Sequence, residues 1–275
     1  MLRFLAGLVG LGFVSALFIA FVMPREKVEP TAASVYHLPE KEVSFSFDGP
    51  FGTYNREQLQ RGFQVYKEVC SACHSMKLVA FRDLEEIGFS KPEVKAIAKQ
   101  WPVEVASVNP DTGEAATRKA LPSDYIPSPY ANETAARAAN NNALPPDMSL
   151  LAKAREGGPH YIYSIITGYQ NQPADLLKKF PDAKMPTGLH YNPYFANLNI
   201  AMPPPLVSDG QVTYSDGTTA TVDQMSKDVS AFLMWAAEPK LENRHRWGMV
   251  VVIYLLIATG LAYGAYRNIW RDKKH

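Results

Sequence analysis

The pentapeptide Cys70-Ser71-Ala72-Cys73-His74 constrains this chain more than any other stretch, because it holds the only two cysteines in 275 residues. Cys-x-x-Cys-His is the attachment signature of a c-type haem. Two thiols three positions apart near a helix end can each add to one vinyl group of a single macrocycle, and the adjacent histidine then reaches the iron. Two other readings are weaker. A redox dithiol has no use for His74, and a zinc site needs two further ligands, for which the chain has no second cysteine pair. The sequence therefore predicts one covalently held haem c per chain, with His74 as an axial ligand.

Both ends of the chain are apolar. Residues 247–266 carry no charge, and twenty helical residues span about 30 Å, the thickness of a bilayer's hydrocarbon core. Trp247, Tyr263, Tyr266 and Trp270 sit where interfacial aromatics belong. Lys240, Arg244 and Arg246 precede the run, and Arg267, Arg271, Lys273 and Lys274 follow it, so a membrane span is expected rather than a buried core helix. Residues 4–23 are likewise uncharged, between Arg3 and Pro24-Arg25. This run is either a cleaved signal peptide or a retained anchor. Retention is favoured, because a signal has a shorter apolar centre and a small-x-small site directly after it, whereas the first small cluster, Thr31-Ala32-Ala33-Ser34, comes late. Either way the residues that follow are exported and the tail Arg271-Asp272-Lys273-Lys274 stays inside. The expected division is an N-terminal apolar segment at 1–27, an extracytoplasmic haem domain at 28–239, and a transmembrane anchor with a cytoplasmic basic tail at 240–275.

Charge follows the same division. Residues 28–239 hold 18 Lys+Arg against 24 Asp+Glu, a net of −6, while the two flanks carry 10 against 3, a net of +7. An acidic body with basic ends argues against nucleic acid and for a membrane-held body that attracts a basic partner. The acidic run Asp83, Glu85, Glu86 supplies candidate docking charges.

The body reads as mainly α, with long irregular loops and a small β-hairpin. Asn55 is an N-cap for a helix that carries Leu59, Phe63, Tyr66 and Cys70 on one face. A second helix starts at the Ser90 cap, with Pro92 in its first turn, and ends at Trp101-Pro102. Residues 102–129 form a surface excursion with a turn at Asn109-Pro110-Asp111. Further helices are expected at 133–140, broken by Asn140-Asn141-Asn142; from Asp147 to the paired Gly157-Gly158; at 160–169, where strand propensity competes; and at 222–238. Residues 170–200 look irregular. Asp209-Gly210 and Asp216-Gly217, flanking Gln211 to Ser215, read as the β-hairpin. Residues 43–47 alternate as an extended cover.

The iron's sixth ligand decides what such a chain does, since a thioether favours electron transfer and an open position favours small ligands or peroxide. Met76 is too close to His74 to reach the opposite haem face, which leaves Met185 and Met202 as the candidates outside the expected helices and the apolar ends. Met202, followed by Pro203-Pro204-Pro205, has the stiffer loop. His160 and His190 are alternatives for a bis-histidine site.

Several stretches together resemble the cytochrome c1 family of the quinol:cytochrome c oxidoreductase (bc1) complex, in its bacterial type: RGFQVYKEVCSACHSM, VAFRDL, AARAANNNALPPDMS, KAREGG, SIITGY, LHYNPYF, IAMPPPL and KDVSAFLMWAAEP, followed by the C-terminal anchor. The resemblance implies a c-type cytochrome fold, with iron ligated by His74 and Met202. It also implies that Arg155 reaches a haem propionate and that Asn140, Pro146 and Tyr161 line the haem pocket. The implied partners are cytochrome b, a Rieske iron–sulfur protein that donates electrons, a cytochrome c that accepts them, and the lipid bilayer, in a dimeric complex. The implied location is the inner membrane of a bacterium with the haem domain on the periplasmic side. No residue is expected to perform acid–base chemistry; enzymatic status belongs to the complex. An N-terminal apolar helix departs from the family's usual cleaved presequence, so the number of anchors stays open. Two alternatives also stay open: a membrane-anchored haem sensor or peroxidase, and an electron-transfer subunit of another respiratory complex.

Overall fold

The computed structural model describes residues 2–23 and 29–273; Pro24 and Arg25, the expected boundary at Val28, and Lys274 of the basic tail lie outside the described residues. In chain order the helices are α1 (Leu2–Val22), α2 (Ala32–Tyr36), α3 (Arg56–Glu68), α4 (Lys91–Gln100), α5 (Glu133–Ala139), α6 (Pro159–Thr167), α7 (Ala174–Lys179), α8 (Val222–Ala237) and α9 (Leu241–Trp270). Two antiparallel pairs join β1 (Val105–Val108) to β2 (Ala115–Arg118) and β3 (His190–Tyr191) to β4 (Asn199–Ile200). Short 3-10 segments complete the body at Cys70–Ala72, Phe81–Ile87 and Pro181–Ala183.

Helices α1 and α9 are long and apolar enough to cross a membrane, with mean hydropathy 2.5 and 2.0. Among the described residues, little of either helix packs on the body: α9 buries only Leu241, and from Arg3 to Val22 every side chain of α1 is exposed. Hydrocarbon is the solvent such a surface fits. At 30 residues, α9 is about 45 Å long, more than a bilayer core requires.

The body is organised on the crossing of α3 and α8. Each begins at a side-chain cap: Asn55, which the sequence announces, accepts through Oδ1 from Gln58 N, and Thr221 Oγ1 accepts from Gln224 N, each at 3.0 Å. At the crossing sits Gly62, where a Cβ would lie 2.0 Å from the Asp228 carbonyl oxygen and 2.7 Å from Phe232 Cβ. The two backbones therefore touch where no side chain intervenes. Around that point Phe63 meets Phe232 edge-on at 5.6 Å, and Trp101, just after α4, stacks on Phe63 and Tyr66. Across the fold Arg61 donates to buried Asp228 and to Asp216, clamping the loop before α8 onto α3.

Four expectations are corrected. Residues 147–158 are a series of turns, not a helix. Asp147 spends its carboxylate on Ser75, Lys77 and Ser149, and the Met148 amide donates to the Ser75 carbonyl, so the segment is tied sideways before a helical ladder can start. The hairpin expected at 209–217 is also absent. Its Asp-Gly turns exist, with Gly210 and Gly217 at φ +73° and +79°, but the backbone between them bonds elsewhere: Gly210 N donates to Ala220 O, and Thr213 O accepts from Gln64. The strand pairs form instead inside the 102–129 excursion, with the Asn109-Pro110-Asp111 turn between β1 and β2, and inside 170–200. That last stretch, expected irregular, also folds α7, which packs with Tyr191 and Leu198 beneath α2. Residues 43–47 are not extended throughout, because Ser46 and Phe47 lie in a turn closed by Asp48 N donating to Phe45 O at 3.1 Å, and Phe45 and Phe47, both buried, stack at 5.0 Å.

Candidate haem site

Helix α3 delivers the cysteines. Its last turn passes through the Val69 cap into the 3-10 turn, and both Cys73 N and His74 N donate to Cys70 O, at 3.1 and 2.9 Å. Cys70 is half-buried against the core that Leu59, Phe63 and Tyr66 build, while Cys73 is exposed. Burial pushes the Cys70 thiol up to about 12, with the neighbouring Cys73 adding to the shift. A redox dithiol needs the opposite, a thiol acidified toward neutrality. The Tyr66 hydroxyl, itself buried, donates to the His74 carbonyl at 3.2 Å and fixes the turn from the helix side.

His74 is 8% exposed, and its Nδ1 lies 2.9 Å from the Pro146 carbonyl oxygen. A carbonyl only accepts, so Nδ1 carries the proton and Nε2 keeps its lone pair. Burial lowers the imidazole's pKa, against the opposing pull of the Pro146 carbonyl and Asp147, which keeps the ring neutral. A neutral histidine whose Nδ1–H is held by a carbonyl is oriented to ligate metal through Nε2. The Pro146 carbonyl thus fixes the orientation of the ring. Its loop is stitched to the far side of the pentapeptide: Asp147 Oδ2 accepts from Ser75 Oγ and Lys77 N, at 2.8 and 3.0 Å, and Ser149 Oγ accepts from Leu78 N at 3.0 Å. Hydrogen bonds from Ser149, Lys77 and Ser75 hold the Asp147 carboxyl below its ordinary pKa although burial works against them.

Elsewhere the expected residues form smaller groups. Arg155 is exposed on the turn before α6, where its guanidinium donates to the Ala154 carbonyl at 3.0 Å and its positive charge opposes the rise in the Tyr161 pKa that burial causes. Asn140 caps α5 and donates to the Tyr130 hydroxyl and the Ala136 carbonyl, at 3.0 and 2.7 Å. Met202 is half-buried two residues beyond β4, and its carbonyl accepts from the Tyr169 hydroxyl at 3.0 Å. Among the described residues, then, a hydrogen bond joins His74 to Pro146 and charge couples Arg155 to Tyr161, whereas Asn140 and Met202 bond outside the expected set. Met185 is 36% exposed, His160 packs its ring on Phe45, and His190 packs on Tyr169. Sequence reasoning passed over Asp147, Ser75, Ser149 and Tyr169. Asp147 was visible as a capping residue, but nothing local shows that it caps a distant loop.

The donor set fits a c-type haem: two thiols at one helix end, one neutral histidine with its outer nitrogen free, and an apolar wall behind them. Comparison with known proteins decides the family. The sequence model described as the Cytochrome C1 family matches residues 45–273. This chain belongs to the cytochrome c1 family. It is 47% identical over 245 residues to a cytochrome c1 of Rhodospirillum rubrum, covering 84% of this chain and 87% of that one. A cytochrome c1 of Blastochloris viridis is 43% identical across 96% of this chain and 97% of its own. A cytochrome b/c1 of Bradyrhizobium diazoefficiens is 46% identical over 83% of this chain, which spans 35% of that longer protein. The family implies haem c as the cofactor, and the two terminal helices suit a membrane-held member of it.

Proposed function

We propose that this chain is the monohaem electron-transfer subunit of a bacterial bc1 complex, carrying electrons from a Rieske iron–sulfur protein to a cytochrome c during quinol oxidation. The observation that carries the reading is His74, neutral and aimed by the Pro146 carbonyl, directly after two cysteines at the end of α3. Haem c, when bound, supplies a one-electron ferric/ferrous couple. Cys70 and Cys73 would hold it by thioether bonds, one haem per chain, with His74 and Met202 as the axial ligands. A sulfur opposite an imidazole favours the ferrous form and a potential high enough for electron transfer. Arg155 would bind a propionate, as a guanidinium does well, with Tyr161 beside it and Asn140 and Pro146 completing the pocket.

Domains are assigned accordingly: 1–27 an apolar anchor segment, 28–239 a periplasmic haem body, and 240–275 the second anchor with its cytoplasmic tail, in the inner membrane of a bacterium. Cytochrome b is the natural membrane partner, since one relative is named cytochrome b/c1. The complex is read as dimeric and, as a whole, as the oxidoreductase. Affinity purification of the full chain from membranes in mild detergent tests the reading. Co-purification of a b-type cytochrome and a Rieske protein is expected; their absence rejects the assignment.

A further inference from the structure

We infer that Tyr169 is a positioning residue for the Met202 loop, its hydroxyl holding the carbonyl of the residue that would ligate iron. The inference rests on the reading of Met202 as axial ligand and adds the device that keeps it in place. The need for such a device follows from the sequence of the loop. Pro203, Pro204 and Pro205 have no N–H, so three consecutive peptide groups cannot donate to a neighbouring backbone and the loop cannot be fixed from that side. Its carbonyls can still be gripped, and two of them are. Tyr169 Oη donates to Met202 O at 3.0 Å, and Gln211 Nε2 donates to Pro205 O at 2.8 Å while its Oε1 accepts from Val207 N at 3.0 Å.

The chain around Tyr169 is itself fixed. Tyr169 follows Gly168, where a Cβ would come within 2.4 Å of the Tyr194 ring and 2.8 Å of Asn192 Oδ1, so α6 ends in close contact with the 192–194 turn. Asn192 Nδ2, fully buried, donates to Ile165 O at 2.8 Å and locks that contact. The Tyr169 ring meets His190 edge-on at 6.3 Å, and His190 pairs with Ile200 of β4, two residues before Met202. Met202 is therefore fixed upstream by the β3–β4 pair, at its own carbonyl by Tyr169, and downstream by the Gln211 clasp. Burial also raises the Tyr169 pKa, so the phenol remains a donor. One short helix, α6, carries both Tyr161 near its start and Tyr169 just past its end.

The test uses the full-length, haem-loaded chain in membranes, with Tyr169→Phe and Met202→Leu read by optical spectroscopy of the ferric form and by carbon monoxide uptake in the ferrous form. Loss of one hydrogen bond near 1.4 kcal/mol corresponds to about a tenfold rise in the population with Met202 released. Tyr169→Phe is therefore expected to weaken the methionine-to-ferric-iron charge-transfer band and to raise carbon monoxide uptake about tenfold, with Gln211→Leu giving a smaller change in the same direction. An unchanged band and unchanged uptake in Tyr169→Phe overturn the inference. So does failure of that variant to fold, which would place the hydroxyl in general stability instead. If Met202→Leu retains the band, the ligand assignment fails instead, and the Tyr169 bond is only a loop contact.

Discussion

Asp147 shows how much one carboxylate contributes to a site it does not enter. It accepts from Ser75, Lys77 and Ser149, and so joins the loop that presents the Pro146 carbonyl to the strand of chain leaving His74. Its carboxyl is held below the ordinary value by those donors, so the stability it contributes is present above about pH 4 and is lost as pH falls through the lowered pKa. Asp147→Asn keeps only one accepting oxygen and turns a donor toward donors. The variant is expected to lose about 1–3 kcal/mol at neutral pH and to show a flatter acid limb in urea titrations between pH 3 and 6. A variant as stable as the parent at pH 7 would mean that the loop is held by other contacts. The same residue marks a limit of sequence reading. Asp before an apolar run is a good helix start, and only the fold reveals that its carboxylate is committed to residues 70 positions earlier.

At the scale of elements, the signals that proved readable were local ones. Asn55 and Ser90 stand at the starts of the helices they are read to begin, and apolar residues at helical spacing on α3 and α8 become the buried faces. The turn that brings Cys70, Cys73 and His74 together is legible for the same reason, since it lies within five positions. What was not legible depended on distant partners: turns in place of a helix at 147–158, isolated Asp-Gly turns in place of a hairpin at 209–217, and β4, which exists because His190 and Tyr191 lie opposite it. Gly62 belongs to this second group, because a glycine inside a helix pattern reads as a weakness until the partner helix is seen. Alanine would be favoured by helix propensity by about 1 kcal/mol. Against that, its Cβ would overlap the Asp228 carbonyl and Phe232 Cβ, neither of which is a flexible side-chain end, and overpacking costs roughly 1–3 kcal/mol or more. Gly62→Ala is therefore expected to lower the thermal midpoint of the holoprotein by several degrees, whereas an unchanged or higher midpoint would show that α3 and α8 can move apart freely.

The whole molecule combines an acidic body with basic, membrane-facing ends, and the two properties make separate predictions. A net of −6 on residues 28–239 should steer a basic redox partner, so its association rate is expected to fall as ionic strength rises; a rate independent of salt in stopped-flow mixing would remove the steering argument. The junction between body and anchor is sharper still. Helix α9 does not begin at the membrane, because Leu241 is 3% exposed in the core and Glu242 accepts from Tyr54 N at 2.7 Å and pairs with Arg56 at 2.8 Å. His245 Nδ1 lies 3.1 Å from Gly52 O, and Arg244 pairs with Glu238. The first turn of the anchor is thus a piece of the body, holding the 52–56 segment from which α3 starts. Burial of Leu241 and the Tyr54 bond together contribute about 2–4 kcal/mol, with the half-exposed Arg56 pair adding little. Chains truncated after Arg246 and after Pro239 differ by this turn alone, and neither retains the span. The longer is expected to unfold at the higher urea concentration by that margin. Equal midpoints would place the boundary at Pro239, and would leave α9 as a tether that contributes nothing to the haem body it carries.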